Sequence, residues 1–283
     1  MLRSLFSGVS GLRNHQTRMD VIGNNIANVN TLAYKTSQVN FKDIFSQTLR
    51  GAAAPAGGRG GTNPMQVGLG VSIANISVNH TQGSLQSTGK ITDLGIEGDG
   101  FFIVSVGNEK YYTRAGNFEL DSEGYLVSAT NGYYLLRGDI PLDENGEPLA
   151  GTLDEVSIDE RRIQIPADAI FIIDQRGDVN IVEEDGSLTR IATIGLAKFN
   201  NPAGLLKTGD NLYVPSNNSG LAIEGIPGEN GSGSIMPGTL EMSNVDLAQE
   251  FTDMIITQRG FQANSRIITV SDEILNELIN LKR

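Results

Sequence analysis

The sequence predicts an α+β protein, with long N- and C-terminal α-helices pairing as a coiled-coil-like domain and a central β-rich domain between them in the chain. Three observations predict it. Apolar residues recur every seven positions near both ends of the 283-residue chain, the spacing of a narrow helix seam. The middle reads as short strands separated by turn residues, in a chain with 34 glycines and no tryptophan, a composition that favours turn-rich β structure. Charge divides the same way: residues 1–90 hold eight basic against two acidic residues, 91–238 nine against 24, and 239–283 four against seven. The acidic middle argues against a nucleic-acid surface, and the two ends carry opposite signs.

At the N-terminus, Leu5, Leu12, Met19 and Ile26 form one column, with Leu2 and Val9 three positions ahead of the first two. The column runs into Asn24, Asn25, Asn28 and Asn30 within NNIANVNTLAYK. Asparagine competes for backbone hydrogen bonds and favours turns. These four residues are therefore expected to end the helix and redirect the chain, which assigns residues 1–35 to the N-terminal helix segment. Residues 36–95, with GAAAPAGGRGGTNP and GLGVSIANISVNHTQGSLQSTG, are short of helix signals and read as an extended linker region.

Residues 96–236 read as the β-rich domain. FFIVSV, KYYTR, NFEL, YLVSA and YYLLR follow at short spacing between 101 and 137. Asn131-Gly132 is a strong hairpin signal, and Asp121 to Gly124 a longer turn. AIFIID, VNIV and LTRIATIGLAKF continue the pattern to residue 199. Residues 138–162 are acidic and poorly patterned, and 138–175 as a whole read as a possible insertion. The last segment, 237–283, carries the second column: Leu247, Met254, Phe261, Ile268 and Leu275. Ser243, Asn244 and Asp246 offer capping groups at its start. At about 1.5 Å per residue this helix reaches roughly 55 Å. A helix so long and so narrowly patterned needs partner helices, and both columns are read as self-assembly seams.

The search for chemistry yields no active site. The chain has no cysteine and two histidines, His15 and His80, neither at zinc-ligand spacing from another ligand. His15 reads as a solvated helix residue. GGRGGTN and GDG lack the frame of a nucleotide-binding loop, and the acidic clusters fail the calcium-loop spacing. No catalytic, cofactor-binding or metal residue is assigned, and no cofactor. The first residues lack a signal-peptide core, and no run approaches the length of a membrane span.

The motifs at the two ends decide the family. MLRSLFSGVSGL, MDVIGNNIANVNTLAYK and the C-terminal SNVDLAQEFTDMIITQRGFQANSRIITVSDEILNELINLKR resemble the termini of the bacterial flagellar rod and hook axial proteins. NFKDIFSQTL, RGGTNPMQVGLGV, DLGIEGDGFFIV and YTRAGNFELDSEGYLV extend the resemblance inward, leaving out about 138–175. One departure is visible: the family usually has glycine where this chain has Ala33. Within the family the chain is most similar to the short hook proteins of Gram-positive-type bacteria, on residues 40–71, with the distal rod protein as the alternative.

The resemblance implies a helical homopolymer in which the terminal helices form an inner domain and the β domain lies outside. A hook of this kind is a curved, flexible tube acting as a universal joint between rod and filament. Also implied are export through the flagellar type III apparatus without a cleaved signal, and a place in the hook or basal body outside the cell. The implied partners are the distal rod protein, hook cap, hook-length control protein, hook–filament junction proteins and export apparatus, with no nucleic acid. The alternative from a different class is a secreted glycan hydrolase using paired carboxylates of the middle domain, although little aromatic surface is available to stack on sugars.

Overall fold

A computed structural model describes residues 2–55, 60–140, 156–166, 169–183, 185–229 and 231–281. The chain divides into two compact units, each built from separate stretches of sequence.

The first unit comprises residues 1–29, 36–79 and 245–283. Its two long elements are α1 (Leu2–Ala27) and α2 (Leu247–Asn280). Asp246 caps α2, its carboxylate accepting from the backbone N–H of Ala248 and Gln249. That satisfies two of the donors every helix start leaves unpaired. The segment read as an extended linker is extended but paired. Ser37–Asp43 pairs antiparallel with Val71–Val78, with an irregularity at Asn40/Phe41, and Ser46–Arg50 pairs with Met65–Gly68. Ser, Asn and Gly carry weak strand signals singly; the ladder forms because two such segments lie opposite one another.

The second unit comprises residues 30–35 and 80–244. In its nine-stranded sheet Leu206–Gly209, Leu212–Val214, Glu109–Thr113, Phe101–Val106, Tyr134–Leu135, Leu126–Ser128 and Phe118–Leu120 follow in spatial order. Leu196–Lys198 also pairs with Phe101–Val106 and carries Ile223–Gly225 beyond it. The run FFIVSV is apolar without alternation because both faces of this strand are covered. Phe102 and Val104 join one buried cluster, and Phe101 and Ile103 another. The hairpin at Asn131-Gly132 is present, with Gly132 at φ 68°. At the other turn Gly124 has φ 82° and its backbone lies so close to Ile165 O that a Cβ would collide with it.

Ile170–Ile173, Asp178–Val182 and Leu188–Thr193, each overlapping a segment read as a strand, form a separate three-stranded antiparallel sheet, of which the first strand alone falls in 138–175. The acidic segment 138–162 lies mostly outside the described residues. The C-terminal helix, expected from 237, begins at Leu247. Ser234–Pro237 instead pairs with Leu94–Glu97, and Thr239–Glu241 with Leu85–Ser87. Cross-strand partners from beyond residue 80 thus claim the chain up to Glu241 before the helix starts.

Candidate assembly surface

The two terminal helices run antiparallel and meet along a line of small and polar residues. On α1 the line is Gly8, Gly11, His15, Arg18 and Asn25, with buried Ile22 at the same heptad spacing. On α2 it includes Glu250, Asp253, Thr257, Gly260, Asn264 and Ser271. The amide of Asn264 fills the space over Gly11, where a Cβ would stand 2.7 Å from its nitrogen. The His15 ring fills the space over Gly260 at the same distance and meets the Phe41 ring edge-on at 5.9 Å. His15 is thus part-buried rather than solvated: burial pushes its pKa down, and Arg18 adds to the effect. Arg18 Nη2 pairs with Asp253 at 3.0 Å. Thr257 and Ser271 return their hydroxyls to Asp253 O and Ile267 O on the same helix, so burying them leaves no donor unpaired.

The predicted columns flank this line. Leu5, Leu12, Met19 and Ile26 are half-buried on α1, as are Met254, Phe261, Ile268 and Leu275 on α2, while Leu247 is exposed. Leu12, Met19 and Ile26 on α1, and Met254 and Phe261 on α2, each adjoin a contact residue in sequence, about 100° around the helix from it, while Ile268 itself lies against Gly8. Glycine permits the close approach at Gly8, Gly11 and Gly260, where Ile268, Asn264 and His15 of the facing helix fill the space a Cβ would take. Beyond the borders the surface is bare. Phe6 is 71% exposed, Ile255 59% and Ile279 65%, with Phe251, Ile256, Ile267, Val270, Ile274 and Leu278 also exposed. Exposed apolar side chains in this number are surface that association would cover.

The four asparagines do different work. Asn28 donates to the carbonyl and side chain of Asn24, closing the end of α1, and Asn30 is exposed in the turn that follows. Asn25 is buried: its Nδ2 donates to Ser37 O at 2.9 Å and Glu250 at 3.0 Å, and its Oδ1 accepts from Ser37 N. Burial pushes Glu250 up, against the opposing hydrogen bond from Asn25. The Asn25 amide thereby holds the helix end, the first strand and α2 together, a role that its place among other asparagines conceals.

In the second unit, residues 30–35 are held by a buried ionic cluster that no sequence signal marks. Glu241 accepts from Lys35 Nζ at 2.6 Å, Gly83 N at 2.8 Å and Arg114 Nη1 at 3.4 Å. Ala33 adopts φ 54° and is buried, its N–H bonded to Glu241 O. Alanine therefore stands in a left-handed conformation that glycine adopts without strain. Among the described residues no group of three metal-ligating side chains comes together, and no helix is long and apolar enough to cross a membrane.

The candidate surface is thus a pair of long terminal helices that meet along small residues and leave a further set of large apolar side chains exposed. Residues 5–35 match the family described as flagella basal body rod protein, 95–181 the flagellar hook protein FlgE/F/G D1 domain, and 236–281 the flagellar basal body rod FlgEFG protein C-terminal. The chain belongs to the flagellar rod and hook protein family. It is 50% identical over 285 residues to the flagellar basal-body rod protein FlgG of Bacillus subtilis, covering all of both chains. With the FlgG of Borreliella burgdorferi it shares 36% over 287 residues, and with that organism's flagellar hook protein FlgE 34% over 441, again covering all of each chain.

Proposed function

We propose that this chain is a basal-body rod subunit of the bacterial flagellum, assembling with copies of itself into a helical tube. The bare apolar faces of α1 and α2 carry the polymer reading. An apolar side chain buried on assembly contributes about 1.5–3 kcal/mol, and these helices expose many. The columns Leu5, Leu12, Met19 and Ile26, and Leu247, Met254, Phe261, Ile268 and Leu275, border those faces. They are assigned to coiled-coil-like contacts that become complete only when neighbouring subunits pack on them.

The rod reading rests on length. The FlgG relatives align over 285 and 287 residues, whereas the Borreliella hook protein needs 441. A collinear match over about the length of this chain leaves no counterpart for the extra length of the hook protein. The second reading is the hook, favoured by the resemblance of residues 40–71 to short hook proteins and by the full-length hook match. Both readings put the chain in the flagellum after export through the flagellar apparatus, in contact with the neighbouring axial proteins.

Two measurements test this. Purified chain induced to polymerise is expected to give straight tubes in electron micrographs, and Phe261→Asp to abolish them while the β signal in circular dichroism persists. Curved tubes favour the hook, and tubes from Phe261→Asp would remove the seam from the assembly contact. Expressed in Bacillus subtilis lacking FlgG, the chain is expected to restore motility. Rescue of a hook-deficient strain instead would overturn the rod reading.

A further inference from the structure

The two terminal helices are unequal in length, and their register leaves one end of α2 without a counterpart. Gly8 lies against Ile268, Gly11 against Asn264 and His15 against Gly260, and Asn25 bonds Glu250. The pairs step up α1 as they step down α2, so Leu2, where α1 begins, falls opposite about Glu273. The stretch Ile274–Asn280 of α2 therefore overhangs α1, by about 10 Å. Ile274 is 42% exposed, Leu278 48% and Leu281, just past the helix, 82%. Their spacing of four and three puts them on one face. From Ile267 to Leu281 the chain carries Asp272, Glu273 and Glu277 and no basic residue, and Lys282 and Arg283 follow it.

The same unit has a solvent-open recess of about 290 Å3 lined by Phe6, Val9, Ser10, Arg13 and Asn14 of α1 and by Val71. Its walls are tied together: Asn14 Nδ2 donates to Val71 O at 2.6 Å, and Val71 N to Ser10 Oγ at 3.4 Å. Phe6, Val9 and Arg13 are exposed, and Arg13 has no carboxylate partner among the described residues. At 100° per residue these three lie on the side of α1 turned away from Gly8, Gly11 and His15. The α2 helix of the same chain, packed on that other side, does not reach the recess.

We propose that this recess receives the overhanging end of α2 from a second copy of the chain, with Leu278 against Phe6, Val9 and Val71 and Glu277 beside Arg13. The recess offers apolar walls and one unpaired cation; the overhang offers an apolar stripe edged by carboxylates. The two match in hydrophobicity and in sign, as an amphipathic helix matches its groove. A contact between two different patches is heterologous, so it repeats from copy to copy and propagates into a filament. The proposal rests on the polymer reading given above and names a contact within it, without choosing between rod and hook.

The chain has no cysteine, so introduced thiols report the contact directly. Full-length Val9→Cys and Leu278→Cys chains are mixed and oxidised with diamide, and dimers are followed on a non-reducing gel. This mixture is expected to cross-link several-fold faster than Leu278→Cys with Leu221→Cys, a control at an exposed residue of the β unit. Adding Arg13→Glu to the first chain is expected to slow the cross-link about threefold, and Glu277→Lys in the second to restore it. A purely structural arginine would not be rescued by its opposite charge. Equal rates in the matched and control mixtures overturn the proposal, as does a link between two Leu278→Cys chains that outpaces the mixed one. Tubes that form without the mixed link leave the polymer reading standing and remove this contact. The link without tubes keeps the contact and counts against the polymer reading.

Discussion

Glu241 is fully buried, and both of its oxygens are occupied, one by Lys35 and Gly83 and the other by Arg114. Burial pushes Lys35 and Arg114 down, and the carboxylate opposes that shift in each. Such a cluster adds little over an apolar replacement but is costly to break. Glu241→Ala would leave two cations unpaired and is expected to destabilise the β unit by about 3–5 kcal/mol, read from urea unfolding. Glu119→Ala, which breaks the half-exposed Lys90–Glu119 pair, is expected to cost less than about 1 kcal/mol. Equal losses in the two variants would mean that the Glu241 cluster is solvated. Lys35 and Glu241 are 206 residues apart, and no property of either neighbourhood announces the other.

For the helices, the consequential choice is which face of α1 meets α2. Gly11 lies under the Asn264 amide, whereas a Cβ at Gly23, on the same helix, would meet nothing within 4 Å. In an isolated helix either glycine is a liability of about 1 kcal/mol relative to alanine. Gly23→Ala is therefore expected to stabilise the helical unit by up to about 1 kcal/mol. Gly11→Leu should overpack the contact and cost about 1–3 kcal/mol, despite leucine's better helix propensity. Thermal unfolding followed at 222 nm checks both signs, and a stabilising Gly11→Leu would place that position in solvent. The heptad columns were legible because large apolar residues are what a periodicity search weighs. The contact line escaped it because Gly8, Gly11, Gly260, Thr257 and Asn264 repeat at the same spacing without being hydrophobic.

At the scale of the molecule, each unit is assembled from distant stretches of chain, so a continuous cut at the apparent domain edges divides a folded body. Residues 96–236 omit Leu85–Ser87, Thr239–Glu241 and Lys35, all part of the β unit. A fragment spanning 30–244 retains them. It is expected to unfold cooperatively, while 96–236 melts at least about 10 °C lower or fails to fold, since a few kcal/mol shifts a domain of this size by several degrees each. Matching melting curves would show that the strands outside 96–236 contribute nothing to its stability.

The sequence by itself determined the helical ends, the strands between residues 101 and 137, the turns at Gly124 and Gly132, and membership of the rod and hook family. Each of these rests on information within a few turns or a few residues: a seven-residue repeat, an Asn-Gly pair, a continuous apolar strand, a long terminal motif. Tertiary structure decided the rest. It paired the supposed linker into ladders, made Asn25 a three-way clasp, put Ala33 in a left-handed turn, and chose glycine over leucine for the helix contact. Those outcomes depend on what lies opposite in space, and a contact between residues hundreds of positions apart is not announced by the hydrophobic pattern of either stretch of chain.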